Sequence, residues 1–406
     1  MALQPATGVR DLNPGEVERN RRLCDSLASV YRLWGYRQVT PPTVERADTL
    51  QAGGRIDERE VVRLVSGEPL GLRPELTAPI ARAACTRLSS YPRPLRLWSE
   101  GTTFRSFPGD VPPRIQEQLQ SGVELLGDSS AAADTELLGL LLAAAGRVGL
   151  TRNHQARLLL GHHGLLTLLL ERLDLEQRQL ARAALCSLDA ITLTNLPLPE
   201  EERTWLESLS RLRGEPPAVL TLLREWLGEH PLMHQLTATL NLVMPLAASQ
   251  GVRIQLDPTF QPHFALYDGL VLKLVCQGSN APVEIASGGR YDALVGRFWE
   301  GSTDQPTDQP ADQTAMATGV GFGFDIDALR ELPDLSEPGE RPVQRQLVAF
   351  HADVGLAAAL DVLEACHRRG EVAELHGQPI NHRAEAEALA AARGCSGCIF
   401  VQESPP

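Results

Sequence analysis

The segment 117–126 carries polar side chains in a pattern that could hold a small cation. If it forms a strand, alternate side chains share a face, which places Gln118, Gln120, Gly122 and Glu124 together. Amide and carboxylate oxygens on either side of a glycine suit an ammonium group, because both accept hydrogen bonds and the carboxylate adds negative charge. The same spacing also fits an ordinary strand with one solvated face.

Two kinds of nucleotide chemistry are excluded by the sequence. Lys273 is the only lysine among the 38 basic residues, and it lies between two leucines rather than in a Gly-Lys-Ser/Thr or Val-Ala-Ile-Lys sequence. Gly319-Val-Gly-Phe-Gly323 has part of a dinucleotide-binding spacing, but the third glycine of that fingerprint would fall on Phe324. We therefore predict neither a phosphate-binding loop of the Walker type nor a bound dinucleotide cofactor.

Composition also argues against a metal, a membrane or a nucleic acid as partner. Seven dispersed cysteines in 406 residues predict reduced thiols and a cytoplasmic protein, and Cys395-Ser-Gly-Cys398 has no second pair to complete a metal site. The histidine pairs 162/163 and 230/234 lack a third ligand nearby in the sequence. The net charge of −13 and the short apolar run 137–145 favour neither nucleic acid nor a bilayer.

The elements that must position the polar strand are mostly strands, with helices at each side. Asn13-Pro-Gly-Glu16 predicts the start of a helix with an apolar stripe, and Asp134 is predicted to cap a second one. The region from about 162 to 250 is predicted to be helical, and a glycine turn is predicted over 288–292. The predicted strands are 36–39, 61–65, 70–72, 95–104, 117–126, 252–256, 270–276, 283–286 and 319–324.

This order of elements predicts an α+β fold, an antiparallel sheet flanked by helices. We expect a core formed by residues 1–161 and 251–330, with a helical insertion over 162–250. Thr-Asp-Gln-Pro repeats predict a disordered loop over 300–318, and a Pro/Glu/Arg-rich linker is expected over 331–345. A small α/β domain is predicted for residues 346–406.

Taken in order, the motifs resemble those of class II aminoacyl-tRNA synthetases, and of histidyl-tRNA synthetases in particular. The strand that ends at Pro42 is similar to their first motif, and Phe104-Arg105, Arg114 and Gln120-Ser-Gly-Val-Glu124 are similar to their second. Leu72-Arg-Pro-Glu75-Leu-Thr77, Gly288-Gly-Arg-Tyr291-Asp292 and the glycine-rich segment 319–329 complete the pattern. The resemblance implies a class II synthetase-like fold over roughly residues 5–330.

The resemblance also implies a site for histidine. Six residues match positions that hold the amino group and imidazole of histidine in that family: Glu75, Thr77, Gln120, Glu124, Tyr267 and Tyr291. Arg105 and Arg114 match arginines of the ATP-binding motif, which makes them candidates for residual anion or nucleotide contacts.

The positions that carry adenylation in the synthetases have changed. The arginine that bridges carboxylate and α-phosphate falls on Pro262, and the arginine that clamps the ATP phosphates falls on Ala328. Transfer at phosphorus depends on fixed positive charge, and neutral His263 does not replace a guanidinium. No catalytic residue is therefore predicted, and no acidic strand end followed by a Thr/Gly turn is found for phosphoribosyl pyrophosphate.

The sequence keeps the residues that match amino-acid contacts and lacks residues that match the ATP chemistry. In this combination it resembles the regulatory subunits of ATP phosphoribosyltransferase. That family implies a short-form catalytic subunit as partner, a homodimer core within a hetero-oligomer, and L-histidine as an effector. Two alternatives stay open at this point: a divergent but active histidyl-tRNA synthetase, in which Arg253 or Arg290 replaces a lost arginine, and a free-standing amino-acid sensor on the same fold.

Overall fold

The structure, a computed structural model, describes residues 4–52, 58–150, 152–260, 266–300, 317–333, 335 and 344–402. Most of the predicted loop 300–318, most of the predicted linker 331–345 and the changed position Pro262 lie outside these ranges. The chain divides into two compact units, 1–337 and 338–406.

The first unit contains the polar strand and most of the regular structure. Its described helices are α1 Pro14–Leu33, α2 Ala47–Ala52, α3 Thr77–Cys85, α4 Ala131–Arg147, α5 His163–Leu170, α6 Leu175–Cys186, α7 Ala190–Asn195, α8 Glu200–Arg211, α9 Pro216–Leu227, α10 Pro231–Ser249, α11 Asp292–Glu300 and α12 Ile326–Arg330. Its described strands are β1 Arg37–Gln38, β2 Val44–Arg46, β3 Leu70–Leu72, β4 Leu95–Phe107, β5 Arg114–Leu126, β6 Arg157–His162, β7 Arg253–Leu256, β8 Leu270–Gln277, β9 Pro282–Arg290 and β10 Gly319–Asp325.

Eight of these strands form one sheet in the order β1-β4-β5-β10-β9-β8-β6-β7. Its two outer pairs, β1 with β4 and β6 with β7, are parallel, and the pairs between them are antiparallel. The predicted α+β class with a largely antiparallel sheet is confirmed. The long hairpin of β4 and β5 places the polar face of β5 in the middle of the sheet.

Helix α1 shows how the sequence specifies the layer behind this sheet. The Asn13 side chain accepts the Glu16 N–H at 3.0 Å and the Glu16 carboxylate accepts the Asn13 N–H at 2.8 Å, so the predicted capping box is present. The stripe that includes Leu23, Leu27 and Tyr31 is fully buried against the sheet and α4. Burying each of these side chains contributes roughly 1.5–3 kcal/mol of hydrophobic free energy.

Several local predictions were wrong. Residues 61–65 form no strand; Arg63 makes only an isolated bridge to Gly71, and β3 pairs instead with β2, which the sequence analysis missed. Strand β6 was also missed, because its central leucines do not alternate with polar residues. Helix α4 begins three residues before Asp134, after Ser130, so Asp134 is free to bond elsewhere.

The predicted glycine turn at 288–292 is largely strand. Strand β9 continues through Arg290, paired with β8 on one side and β10 on the other. A Cβ at Gly288 would lie 2.6 Å from the Phe322 Cα, so these glycines let two strands approach closely rather than reverse the chain.

The second unit is a small α/β fold, as predicted. Its elements are β11 Arg345–Phe350, α13 Gly355–Arg368, β12 Val372–Leu375, α14 Arg383–Ala392 and β13 Gly397–Val401. The three strands are parallel in the order β12-β11-β13. Two separate apolar clusters, one with residues of α13 and one with residues of α14, fill the two faces of this sheet.

Candidate functional site

A cavity of about 300 Å³ opens over the polar face of β5. Residues of α3, β4, β5, β9 and β10 contribute to its walls. The side chains that share a face by alternation along β5 all line it, which confirms the face predicted from the sequence. The lining residues from the other elements that matter chemically are Glu75, Thr77, Arg105, Tyr267, Glu284, Ser287 and Asp325.

Glu124 lies at the buried end of this cavity and has two hydroxyl donors. The Thr77 hydroxyl donates to Oε1 at 2.7 Å, and the Tyr291 hydroxyl donates to Oε2. Only 4% of Glu124 is exposed, and burial raises its pKa to about 8, against the opposing effect of these two hydrogen bonds. A cationic ligand would reverse this shift, because it favours the ionised carboxylate.

Glu75 is a second acid, placed at the beginning of α3. Its carboxylate accepts the backbone N–H groups of Thr77 and Ala78, the latter at 3.0 Å. The acid therefore stabilises the first turn of α3, and the residue also lines the cavity. Burial raises the pKa of Glu75, which these hydrogen bonds partly oppose.

Tyr267 and Arg105 complete the set of predicted residues in the cavity. A Cβ at Gly289, whose φ is +159°, would lie 2.8 Å from the Tyr267 ring, so this glycine leaves room for the ring against β9. Burial raises the pKa of the Tyr267 hydroxyl and lowers that of the Arg105 guanidinium, whose charge nearby Glu60 and Glu75 favour.

Acids outnumber bases on the described walls. The acids are Glu75, Glu124, Glu284 and Asp325, and Arg105 is the one basic residue among the described lining. The Glu284 carboxylate forms an ion pair with Lys273 at 2.7 Å. This balance favours a ligand that brings an ammonium or imidazolium group and disfavours a triphosphate.

Neither Glu284 nor Asp325 was predicted from the sequence as a residue of the cavity. Asp325 caps α12, since its Oδ1 accepts the Ala328 N–H at 2.9 Å, and its Oδ2 also accepts a hydrogen bond from Gln118 at the cavity wall. Burial raises the pKa of Asp325 to about 6. Alternation along β9 could have identified Glu284, because it shares a face with Ala286 of the same wall.

Three of the predicted residues do not line the cavity. Tyr291 is 1% exposed and reaches Glu124 from behind the wall. Arg114 and Ala328 line an adjacent cavity of about 530 Å³, which shares Gln116, Gln118 and Asp325 with the first.

The arginines of the adjacent cavity are all bound to acids. Arg114 contacts Asp110 at 2.6 Å, Arg10 contacts Glu16 at 2.7 Å and Arg330 contacts Asp327 at 2.7 Å. The arginines that an active synthetase would need as replacements are elsewhere: Arg290 binds Asp134 at 2.7 Å, and Arg253 lines a third groove.

The candidate histidine pairs have structural roles. His162 Nδ1 accepts the Gly164 N–H and His230 Nδ1 accepts the Leu232 N–H, both at 3.1 Å, at the starts of α5 and α10. Within the described ranges, no three His, Cys, Asp or Glu side chains gather as metal ligands, and no helix has the length and apolar character to cross a membrane.

Gly321 of β10 should control the position of Glu124. A Cβ there would overlap the Glu124 carboxylate and lie 2.5 Å from the Val123 carbonyl oxygen. We expect Gly321→Ala to displace the carboxylate and to weaken binding of the histidine that the family resemblance implies at least 10-fold, measured by calorimetric titration. Gly296→Ala in α11 is the control, because nothing lies within 4 Å of its Cβ position and it is not among the lining residues of the cavity; equal binding losses in both variants would contradict this role.

The fold and the cavity together define a class of protein. Residues 8–329 match the family model of histidyl-tRNA synthetase. Among solved structures, a histidyl-tRNA synthetase from Nostoc sp. PCC 7120 has the same fold, with a TM-score of 0.76 at 17% identity over 99% of this chain and 92% of that one.

More similar sequences narrow the assignment. ATP phosphoribosyltransferase regulatory subunits from two Synechococcus strains, RCC307 and WH7803, are 47% and 44% identical, each over 99% of this chain and 100% of the relative. A structure from Bacillus halodurans described as an ATP phosphoribosyltransferase regulatory subunit/histidyl-tRNA synthetase has a TM-score of 0.79 at 25% identity, with both chains fully covered. The chain belongs to the histidyl-tRNA synthetase family and, within it, to the ATP phosphoribosyltransferase regulatory subunits.

Proposed function

We propose that this chain is a non-catalytic regulatory subunit that a short-form ATP phosphoribosyltransferase requires for the first step of L-histidine biosynthesis, and that it carries the histidine site for feedback inhibition. The observation that carries the proposal is the charge balance of the cavity. Its described walls hold five of the six residues that match amino-acid contacts, and they present four acids, one of them paired with Lys273, against Arg105 as the basic residue of the described lining.

The cavity suits histidine in one orientation. Glu124 and Tyr267 would contact the imidazole at the buried end of the cavity, because their oxygen atoms accept from a ring N–H. Gln120 and Glu75 on the same lining would accept from the ammonium group. Arg105 lies on β4 opposite a position of β5 eight residues before Glu124, and it is the group that would bind the carboxylate of the ligand.

Adenylation of the amino acid is not expected from these walls. The ATP phosphates of a synthetase need several guanidinium groups or metal ions that stabilise the transition state, and removal of one such donor costs about 3–4 kcal/mol. The arginines of the adjacent cavity are bound to acids, and Ala328 stands at one of the changed positions. We therefore place catalysis in the partner subunit, with this chain as a cytoplasmic homodimer inside a hetero-oligomer.

The proposal is tested by phosphoribosyl-ATP formation from ATP and phosphoribosyl pyrophosphate. We expect the short catalytic subunit of the same source to turn over at least 10-fold faster with this chain than without it, because the pair forms the active assembly. Histidine should inhibit the assembly more strongly than the catalytic subunit alone. An unchanged rate, together with histidine-dependent pyrophosphate exchange by this chain alone, would favour a synthetase instead.

A further inference from the structure

A groove of about 410 Å³ runs along the edge of the large sheet, far along the strand order from the polar face of β5. It lies between the last turns of α10 and strand β7, with the loop before α9 closing one end. Its floor is apolar. The apolar lining residues are Pro216, Pro217, Met244, Ala247, Ala248, Val252 and Ile254.

The backbone of β7 is open toward this groove. Arg253 and Asp257 donate their N–H groups to Ala156 and Leu160 on the β6 side, at 3.0 and 2.9 Å. Leu256 instead exchanges two hydrogen bonds with Gly214 on the outer side, at 2.9 and 3.1 Å.

Because alternate residues of a strand direct their backbone groups to opposite edges, Ile254 presents its N–H and C=O outward, two residues before that bridge. In the described part of the chain these two groups have no partner. Val252, two residues earlier on the same edge, donates its N–H to Ala247 at 2.9 Å, so the open position is the single residue Ile254. One such residue can form a bridge of two main-chain hydrogen bonds with an extended segment.

The rim of the groove is basic in a protein of net charge −13. Arg157 and Arg253 line the groove and lie directly opposite each other in the pairing of β6 and β7. Like charges directly opposite each other on neighbouring strands are destabilising.

Two further arginines add to the positive charge near the groove. Arg152 approaches the turn just before β7, since its Cγ is 2.9 Å from the Cβ position of Gly251, and Arg213 immediately precedes the bridging Gly214. All four of these arginines are exposed, and none has an acidic partner among the described residues, whereas Glu215 is the one acid on the described lining.

We infer that the groove beside β7 is the docking site for an extended acidic segment of the catalytic ATP phosphoribosyltransferase subunit, which forms a β-bridge with Ile254. Main-chain hydrogen bonds to Ile254 hold the segment, and its acidic side chains meet Arg157 and Arg253. A protein occupant fits better than a nucleic acid, because the groove has an apolar floor and none of its described lining residues is aromatic. The inference rests on the proposed function, which supplies the partner.

The test compares two charge-reversed variants of the full chain in binding to the catalytic subunit. Arg157→Glu/Arg253→Glu should weaken the complex at least 10-fold, measured by sedimentation or calorimetry at 150 mM salt. Arg37→Glu/Arg87→Glu changes the net charge equally at exposed positions of the same unit, with Arg37 on β1 at the other end of the strand order, and should bind like the wild type. Hydrogen exchange of the peptide that contains Ile254 should slow in the wild-type complex.

Each other outcome overturns the inference. Equal binding by the two variants with unchanged exchange at Ile254 would remove the docking site while leaving the proposed function intact, provided that the wild type still stimulates turnover. No binding by the wild type would remove both. If the groove variant instead loses self-association or binding to a labelled RNA, the occupant is a second copy or a nucleic acid, and the proposed partner is wrong.

Discussion

Replacing Glu124 with glutamine should abolish most histidine binding and at the same time stabilise the empty protein. The variant keeps the volume and one acceptor for the Thr77 hydroxyl, but it removes the negative charge that the bound imidazole would meet. Loss of a charge-assisted hydrogen bond of about 2–3 kcal/mol corresponds to roughly 30- to 150-fold in affinity. Calorimetric titration with histidine measures this loss.

The stability change has a definite dependence on pH. The folded-state pKa of Glu124, about 8, lies above the ordinary carboxyl value of 4.5, so between these values the folded protein holds a proton that the unfolded chain releases. Stability therefore falls as pH rises through this window, by up to about 1.4 kcal/mol per pH unit. Thermal unfolding should show Glu124→Gln to be more stable than the wild type at pH 8.5, with a smaller difference at pH 5.

A control variant that loses one exposed carboxylate distinguishes an effect of the cavity from a general effect of losing one charge. Glu201→Gln, at an exposed position of α8, should leave both histidine affinity and the pH dependence unchanged. If Glu124→Gln were destabilised at pH 8.5, or bound histidine like the wild type, the ionised carboxylate would have no role in the cavity.

Replacing Arg290 with methionine should cause a large loss of folding stability. Only 8% of Arg290 is exposed, and its guanidinium binds the Asp134 carboxylate at 2.7 Å, the Asp128 carbonyl and the Asp292 carboxylate. Methionine leaves two half-buried carboxylates without their counter-charge. Breaking a buried pair from one side costs about 3–5 kcal/mol, which urea unfolding would detect.

Two further variants define the cause of this loss. Arg290→Met/Asp134→Leu should recover part of the stability, since it removes one uncompensated charge together with its partner. Arg21→Met breaks an exposed pair with Asp25 at 3.2 Å and should cost less than about 1 kcal/mol. A similar small cost for Arg290→Met would show that its network does not support the strand that carries Tyr291.

The sequence allowed the polar face of β5 to be predicted because alternation along a strand is a local property. Residues that strand pairing brings to the same cavity were harder to predict from the sequence. Asp325 was not predicted to line the cavity, since its contact with Gln118 depends on the register between β5 and β10, which puts Asp325 opposite Gln120. Long-range register of this kind has no signal in the local composition.

The prediction of a turn at Gly288–Asp292 was wrong for a related reason. Two glycines in sequence usually indicate a turn, and here they permit the close approach of β9 to β10. In the same way, Asp134 has the composition of a helix cap but binds Arg290, more than 150 positions away in sequence. The family resemblance identified the matching residues of the cavity. The residues that contact them from other elements could be identified only from the fold.

The most direct test of the account is histidine inhibition of phosphoribosyl-ATP formation by the catalytic subunit assembled with either the wild-type chain or Glu124→Gln. We expect both assemblies to form and turn over, because Glu124 lies in a cavity away from the β7 edge. The histidine concentration for half inhibition should rise roughly 30- to 150-fold with the variant. Identical inhibition curves for the two assemblies would contradict the claim that this cavity is where histidine acts.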